Sequence, residues 1–189
     1  GFMATVTGQA SVEAGDSVTL DGSKLGAGAL TASAKSGDLS LKSAEVDISG
    51  AAELTAKQSI TATEASVEAA SLAMTAETGS VEASGFTATV ADQASVVAGD
   101  TVVLDNAELT AGALTATASL GDLSVKDAEI KATKGGVTLT AEAADINASN
   151  TKLTAEDEVI LTAQQSITAT DASVEAASLA MTAEMGSVD

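Results

Sequence analysis

The sequence predicts an all-β fold: a single-chain, right-handed parallel β-helix of about nine triangular coils, each about 21 residues long. Three observations carry this: two long internal matches, a 21-residue spacing of large apolar residues, and a composition that suits only a narrow, regular interior. The stretch Gln58–Val81, QSITATEASVEAASLAMTAETGSV, recurs as Gln165–Val188, QSITATDASVEAASLAMTAEMGSV, at an offset of 107. A second match, QASVEAGDSVTL from Gln9 and QASVVAGDTVVL from Gln93, has an offset of 84, four times 21. The offsets differ by 23, so one whole coil has been gained or lost without disturbing its neighbours. A repeat architecture tolerates that because each coil touches only the coils above and below.

Large apolar residues fall into ranks. Val18, Leu39, Ile60, Val81, Val102 and Leu123 are each 21 apart, and Ile146, Ile167 and Val188 continue the series after one step of 23. Leu25, Val46, Val67, Leu109, Ile130, Leu153 and Val174 form a second rank, with Ala88 in its gap. Leu30, Leu72, Leu114, Val137 and Leu179 form a looser third. Many ranks begin with alternation, as in Val18-Thr-Leu20, Val46-Asp-Ile48, Leu72-Ala-Met74 and Val137-Thr-Leu139, which predicts strands with one buried face. Spacings of 7, 5 and 9 between ranks predict three short strands per coil. Ala65–Glu77 is rich in helix formers, but the ranks run through its Val67 and Leu72, so it is read as strand. Gly15-Asp16, Gly37-Asp38, Gly99-Asp100 and Gly121-Asp122, with Gly79 and Gly186, are expected to turn tight corners at positive φ. Stacked about 4.8 Å apart, the coils make a rod roughly 43 Å long.

The chain divides into a four-coil module over residues 1–84 and a five-coil module over 85–189 holding the extra 23-residue coil, together one continuous rod. Gly1-Phe2 aligns with Gly85-Phe86, and no capping segment is evident. A bare solenoid end is an exposed sheet edge, so a longer tandem array, or copies stacked end to end, is expected.

Composition narrows function. The 189 residues include no Pro, Cys, His, Trp, Tyr or Arg and only two Phe, so Val, Leu, Ile and Ala must fill the interior. The net charge of −19 opposes nucleic acid and anionic membrane surfaces as partners. No apolar run approaches the roughly 20 residues of a membrane span. Without His or Cys the common nucleophile–base pairs and zinc ligands are missing. Glu156-Asp157-Glu158 is read as a solvated turn, and Gly135-Gly136 lacks the calcium-nonapeptide pattern. Thr-x-Thr pairs at Thr61/Thr63, Thr87/Thr89, Thr115/Thr117, Thr138/Thr140 and Thr168/Thr170 fall on three different faces, which argues against a continuous ice-binding array. The reading is no enzyme, with no catalytic, cofactor-binding or metal residues and no cofactor.

The stretch Gly121–Thr170, with its GDL, LTA and SIT elements, resembles the repeats of filamentous-haemagglutinin-like bacterial surface proteins. That resemblance implies a secreted right-handed β-helix shaft. The expected role is a structural or adhesive shaft or filament segment, extracellular or on the cell surface. Its expected partners are itself and cell-surface or matrix ligands. A β-helical spike of a secretion or phage-like apparatus, or an ice- or surface-binding solenoid, is the alternative.

Overall fold

The computed structural model describes all residues from Gly1 to Asp189. The chain is all-β, without helix, and its parallel strands stack about 21 residues apart in a solenoid of about nine turns. Each coil contributes to three ladders, here named the first, second and third faces after the ranks that fill them.

The first face begins each coil. Val18 pairs with Leu39, Leu39 with Ile60, Ile60 with Val81, and so on through Leu123, Ile146 and Ile167 to Val188. The second face stacks Leu25, Val46, Val67, Ala88, Leu109, Ile130, Leu153 and Val174 in unbroken register. Both ladders cross residue 84 without interruption, since Val81–Ser84 pairs with Val102–Asp105 and Ser66–Ala76 pairs with Thr87–Val90. Ser66–Ala76, within the best helical candidate, is a strand. Its helix propensity is overridden by the buried alternation of Val67, Leu72 and Met74.

The third rank is complete, although not at constant spacing. Ala52, Ala94 and Val159 occupy the places missing from it, each paired with its neighbours above and below. The cause lies at two corners. From the second rank to the third the chain takes five residues in one coil (Leu25 to Leu30) and six in the next (Val46 to Ala52). The following corner compensates, with nine residues from Leu30 to Leu39 and eight from Ala52 to Ile60. Two coils, 42 residues, are therefore the true repeat. Only the 23-residue coil from Leu123 to Asp145 breaks the alternation, and without it the remaining coils alternate throughout. In the first four coils the second and third strands run together as Met3–Ala14, Lys24–Ala34, Glu45–Ala56 and Ser66–Ala76, rather than as the separate strands expected. At their corners the register shifts, between Val6 and Gln9, Ala27 and Leu30, and Ile48 and Ala51. Small residues there (Gly28, Gly50) let the backbone stay extended and close to the coil below: a Cβ on Gly50 would meet the carbonyl of Gly28.

The interior is almost wholly apolar and columnar. Where the third face turns toward the first, nine alanines stack: Ala14, Ala34, Ala56, Ala76, Ala98, Ala118, Ala141, Ala163 and Ala183. Phe86 is the one aromatic side chain in the core, 1% exposed. It sits in a column otherwise made of Phe2, exposed at the first coil, and Ser23, Ala44, Ala65, Ala107, Ala128, Thr151 and Ala172. Two residues on, Ala88 stands where the coils from Leu25 onward otherwise carry Leu, Val or Ile, and leaves room for the ring. Burial of Thr151 leaves no orphan, because its single hydroxyl hydrogen lies within reach of the carbonyls of Val125 (2.9 Å) and Ser149 (3.0 Å).

The corner chemistry differs from expectation. The positive-φ residues do not include the Gly-Asp corners. They form a column between the first and second faces: Gly22, Ser43, Glu64, Gly85, Asn106, Asp127, Asn150 and Asp171, with φ between 48° and 59°. A single left-handed residue in each coil redirects the strand. Glycine near the Gly-Asp corners serves close stacking instead. At Gly37, Gly79, Gly121 and Gly186 a Cβ would strike the side-chain oxygen of Ser17, Ser59, Thr101 or Ser166 in the coil below.

Left-handed φ costs an ordinary L-residue about 1–2 kcal/mol and costs Asn less. Glu64→Asn should therefore raise stability by about 1 kcal/mol. Urea unfolding followed by circular dichroism checks this, and a loss of stability would contradict the strain argument.

Candidate functional site

The residues that shape the surface form ladders rather than a convergent site. At six first-face strands the Ser or Asp just before the strand accepts a backbone N–H from the next coil. Asp38 Oδ1 accepts the Ser59 N–H (2.9 Å), Asp122 Oδ1 the Asp145 N–H (3.1 Å), and Asp145 Oδ1 the Ser166 N–H (2.7 Å). Ser17, Ser59 and Ser166 do the same through hydroxyl oxygens. The Asp residues of the Gly-Asp signature at Asp38 and Asp122 are thus intercoil backbone clamps.

Asp21 is the carboxylate most altered by its surroundings. Its Oδ1 accepts from the Ser40 hydroxyl at 2.6 Å and from the Lys42 N–H at 2.9 Å, and both hold its pKa below the ordinary value. Being depressed in the folded chain, this group adds stability above its unfolded pKa of about 3.9 and loses it as pH falls through the lower folded value. Asp21 is largely solvated, so the effect is small. Ser40→Ala should raise the Asp21 pKa toward that ordinary value, checked by a carboxyl-carbon NMR titration. An unchanged titration would mean the hydroxyl does not set it.

Lysines bridge coils. Lys35 meets Glu13 at 3.0 Å, Lys57 meets Glu77 at 2.7 Å and Lys152 meets Glu129 at 3.5 Å. Lys134 reaches across a whole coil, with its Nζ 2.9 Å from the Ala91 carbonyl and 3.2 Å from Asp92 Oδ1. All are solvated pairs contributing up to about 1 kcal/mol each. With 27 acidic residues against eight lysines, most carboxylates remain uncompensated.

An open cleft of about 330 Å³ follows the left-handed corner, lined by Thr87, Asn106, Glu108, Asp127 and Glu129 among others. An apolar hollow of about 330 Å³ opens over the last coil, where Leu153, Leu161, Val174, Leu179 and Met181 are the interior seen from the end. No three acidic side chains converge as metal ligands, and no buried side-chain polar atom lacks a partner. Glu156, Asp157 and Glu158 lie exposed at the corner between the second and third faces, where the Asp157 carbonyl accepts the Ala177 N–H at 2.7 Å. Gly136 lies close against the backbone of Glu158.

The threonine pairs separate as follows. Thr61/Thr63 and Thr168/Thr170 lie on the first face, Thr87/Thr89 on the second, and Thr115/Thr117 and Thr138/Thr140 on the third. Sequence reasoning missed a column on the third face that takes one Thr from each of several coils: Thr55, Thr75, Thr117, Thr140, Thr162 and Thr182, interrupted by Val97. Its uneven spacing hid it.

No family model, curated protein or solved structure matches this chain.

Proposed function

We propose that this chain is a structural or adhesive shaft segment of a longer repetitive surface or secreted protein, and that it carries no catalysis. The observation that supports this best is the filled interior, with side chains packed in columns from coil to coil and no enclosed polar cavity. Repetition itself is the product of such a fold: length grows by about 4.8 Å per coil while the cross-section stays constant. The haemagglutinin-repeat resemblance favours the same reading and suggests an extracellular or cell-surface setting.

Further coils, or a second copy, can continue the ladders. Inside the rod the coil Gln58–Val81 carries Thr87–Val90 and Gln93–Ala98 on its upper edge. Its near-copy Gln165–Val188 offers the same edge to a following Gly-Phe coil. Neither nucleic acid nor membrane insertion belongs to this reading.

Electron microscopy of the native protein tests it. Straight, unbranched shafts or filaments much longer than about 43 Å are expected. Compact particles of that length, or a stable trimeric spike, would contradict it.

A further inference from the structure

We propose that the edge of the last coil, Gln165–Val188, binds the first coil of a second copy, Gly1–Leu20, so that chains join head to tail. This rests on the shaft reading, in which the ladders run on past the last coil, and it commits their continuation to a second copy. Both sides of one inner junction recur at the two ends of the rod.

Inside the rod, the coil Gln58–Val81 is covered by Gly85–Leu104. The receiving side presents Ile60, Ala65, Val67, Leu72, Met74 and Val81, all buried. The same residues recur in the last coil as Ile167, Ala172, Val174, Leu179, Met181 and Val188. The covering side presents Phe86, Ala88, Val90, Val96, Val102 and Leu104, again all buried. These recur in the first coil as Phe2, Ala4, Val6, Val12, Val18 and Leu20. The inward alanines match too: Ala76 under Ala98 becomes Ala183 under Ala14. Two surfaces that already fit each other within one chain are therefore repeated at its opposite ends. Phe2 is 45% exposed and Leu179 49%, whereas the covered Phe86 and Leu72 are 1% and 2% exposed.

Register follows from the inner ladder. Ser66 pairs with Thr87, Leu72 with Ala94 and Thr75 with Val97. The counterparts place Ser173 against Met3, Leu179 against Ala10 and Thr182 against Glu13. At the inner junction the Thr87 N–H donates to the Ala65 carbonyl at 3.0 Å and the Gly99 N–H to the Ala76 carbonyl at 2.8 Å. Between copies the Met3 N–H donates to Ala172 and the Gly15 N–H to Ala183. Phe2 enters the apolar hollow over the last coil, above Ala172, as Phe86 lies above Ala65. No carboxylate opposes another along these ladders, since Glu175 meets Thr5, Glu13 meets Thr182 and Asp189 meets Thr19. Only the counterparts of Ala83 and Ser84 are missing from the junction. About 20 residues a side take part, the number in a standard interface. The two edges differ, so the contact is heterologous and repeats into an open filament.

Sedimentation equilibrium of the 189-residue chain, from low micromolar to about 1 mM, tests it. The average mass should rise past twice the 18.3 kDa of one chain. It should rise further as salt goes from about 0.15 M to 0.5 M, because repulsion between acidic copies is screened. Electron microscopy should show rods of one width, with lengths in multiples of about 43 Å. Phe2→Glu with Val6→Glu closes one end, and Val174→Glu with Leu179→Glu closes the other. All four residues are exposed in a single copy, so the circular dichroism spectrum should not change. Each variant alone should stay single, whereas an equal mixture should stop at pairs. Glu13→Cys with Thr182→Cys sit eight coils, roughly 38 Å, apart in one chain. Oxidation should therefore link them only between copies. Ser11→Cys with Thr182→Cys, two residues out of register, should not link. Assembly by either end variant alone, rods doubled in width, or linkage of the out-of-register pair would overturn the proposal. An unaltered chain that stays single at every concentration and salt would overturn it too. If native material still formed long shafts, the shaft reading would stand and the edge would belong to further coils of the same chain.

Discussion

Phe86→Ala should destabilise the rod by about 3–5 kcal/mol, the range for deleting a buried aromatic ring. The upper half of that range is expected, because the site cannot collapse. Ala65 lies below the ring, Ala107 above and Ala88 beside it in the same coil, and none can reach into the space left. The effect should be local. The backbone ladders join each coil only to its neighbours, so the coils from Ile60 to Asp122 should loosen before the others. Urea denaturation followed by the far-ultraviolet signal reads the loss, the chain having neither Trp nor Tyr for fluorescence. Ala88→Leu on top of Phe86→Ala gives this coil the pattern of its neighbours Ala65/Val67 and Ala107/Leu109, and should recover at least half of the loss. A double variant less stable than Phe86→Ala alone would refute the idea that the two positions share one volume.

The second large effect concerns register. Removing Leu123–Asp145, the 23-residue coil, joins Asp122 to Ile146. It should give a folded rod shorter by roughly 5 Å. Ile146 then stacks where Leu123 stood, and the alternation of five- and six-residue corners becomes unbroken. Removing only Leu123–Ala132 should be severe. It takes out the first- and second-face strands of that coil, so Ile146 meets no partner and every coil above loses its ladder. Small-angle scattering and thermal melts distinguish the two. Equal damage from both deletions would mean that the coil is not the unit of this fold.

These outcomes also explain what could be read from sequence. The first and second ranks were legible because exactly one corner is invariant: Val18 to Leu25, Leu39 to Val46 and every later pair are seven residues apart. The third rank blurred because its two corners exchange a residue from coil to coil, which moves Ala52, Ala94 and Val159 off the 21-residue spacing. Alanine at Ala52 and Ala94 hid the column further, since small residues carry little rank signal. The left-handed corner was missed for a different reason. Only Gly22 and Gly85 of its eight residues are glycine, so glycine does not mark it. Alignment four residues after each first-rank position would have exposed Asn106, Asp127, Asn150 and Asp171, residue types that tolerate this conformation. At the Gly-Asp corners the sequence signal was real but its cause was contact between coils rather than φ. The candidate site was the least legible, because its polar side chains form ladders from coil to coil rather than a convergent cluster.

The most direct measurement is a ladder of distances. The chain has no cysteine, so pairs of cysteines can be placed on the outer side of the first face without background labelling. Thr19 with Val103, Thr19 with Ser124 and Thr19 with Asn147 lie four, five and six coils apart. Spin-label distances near 19, 24 and 29 Å are expected, increasing by about 4.8 Å per coil. Distances that fail to grow by a constant step would contradict the stacked coil on which every other statement about this molecule depends.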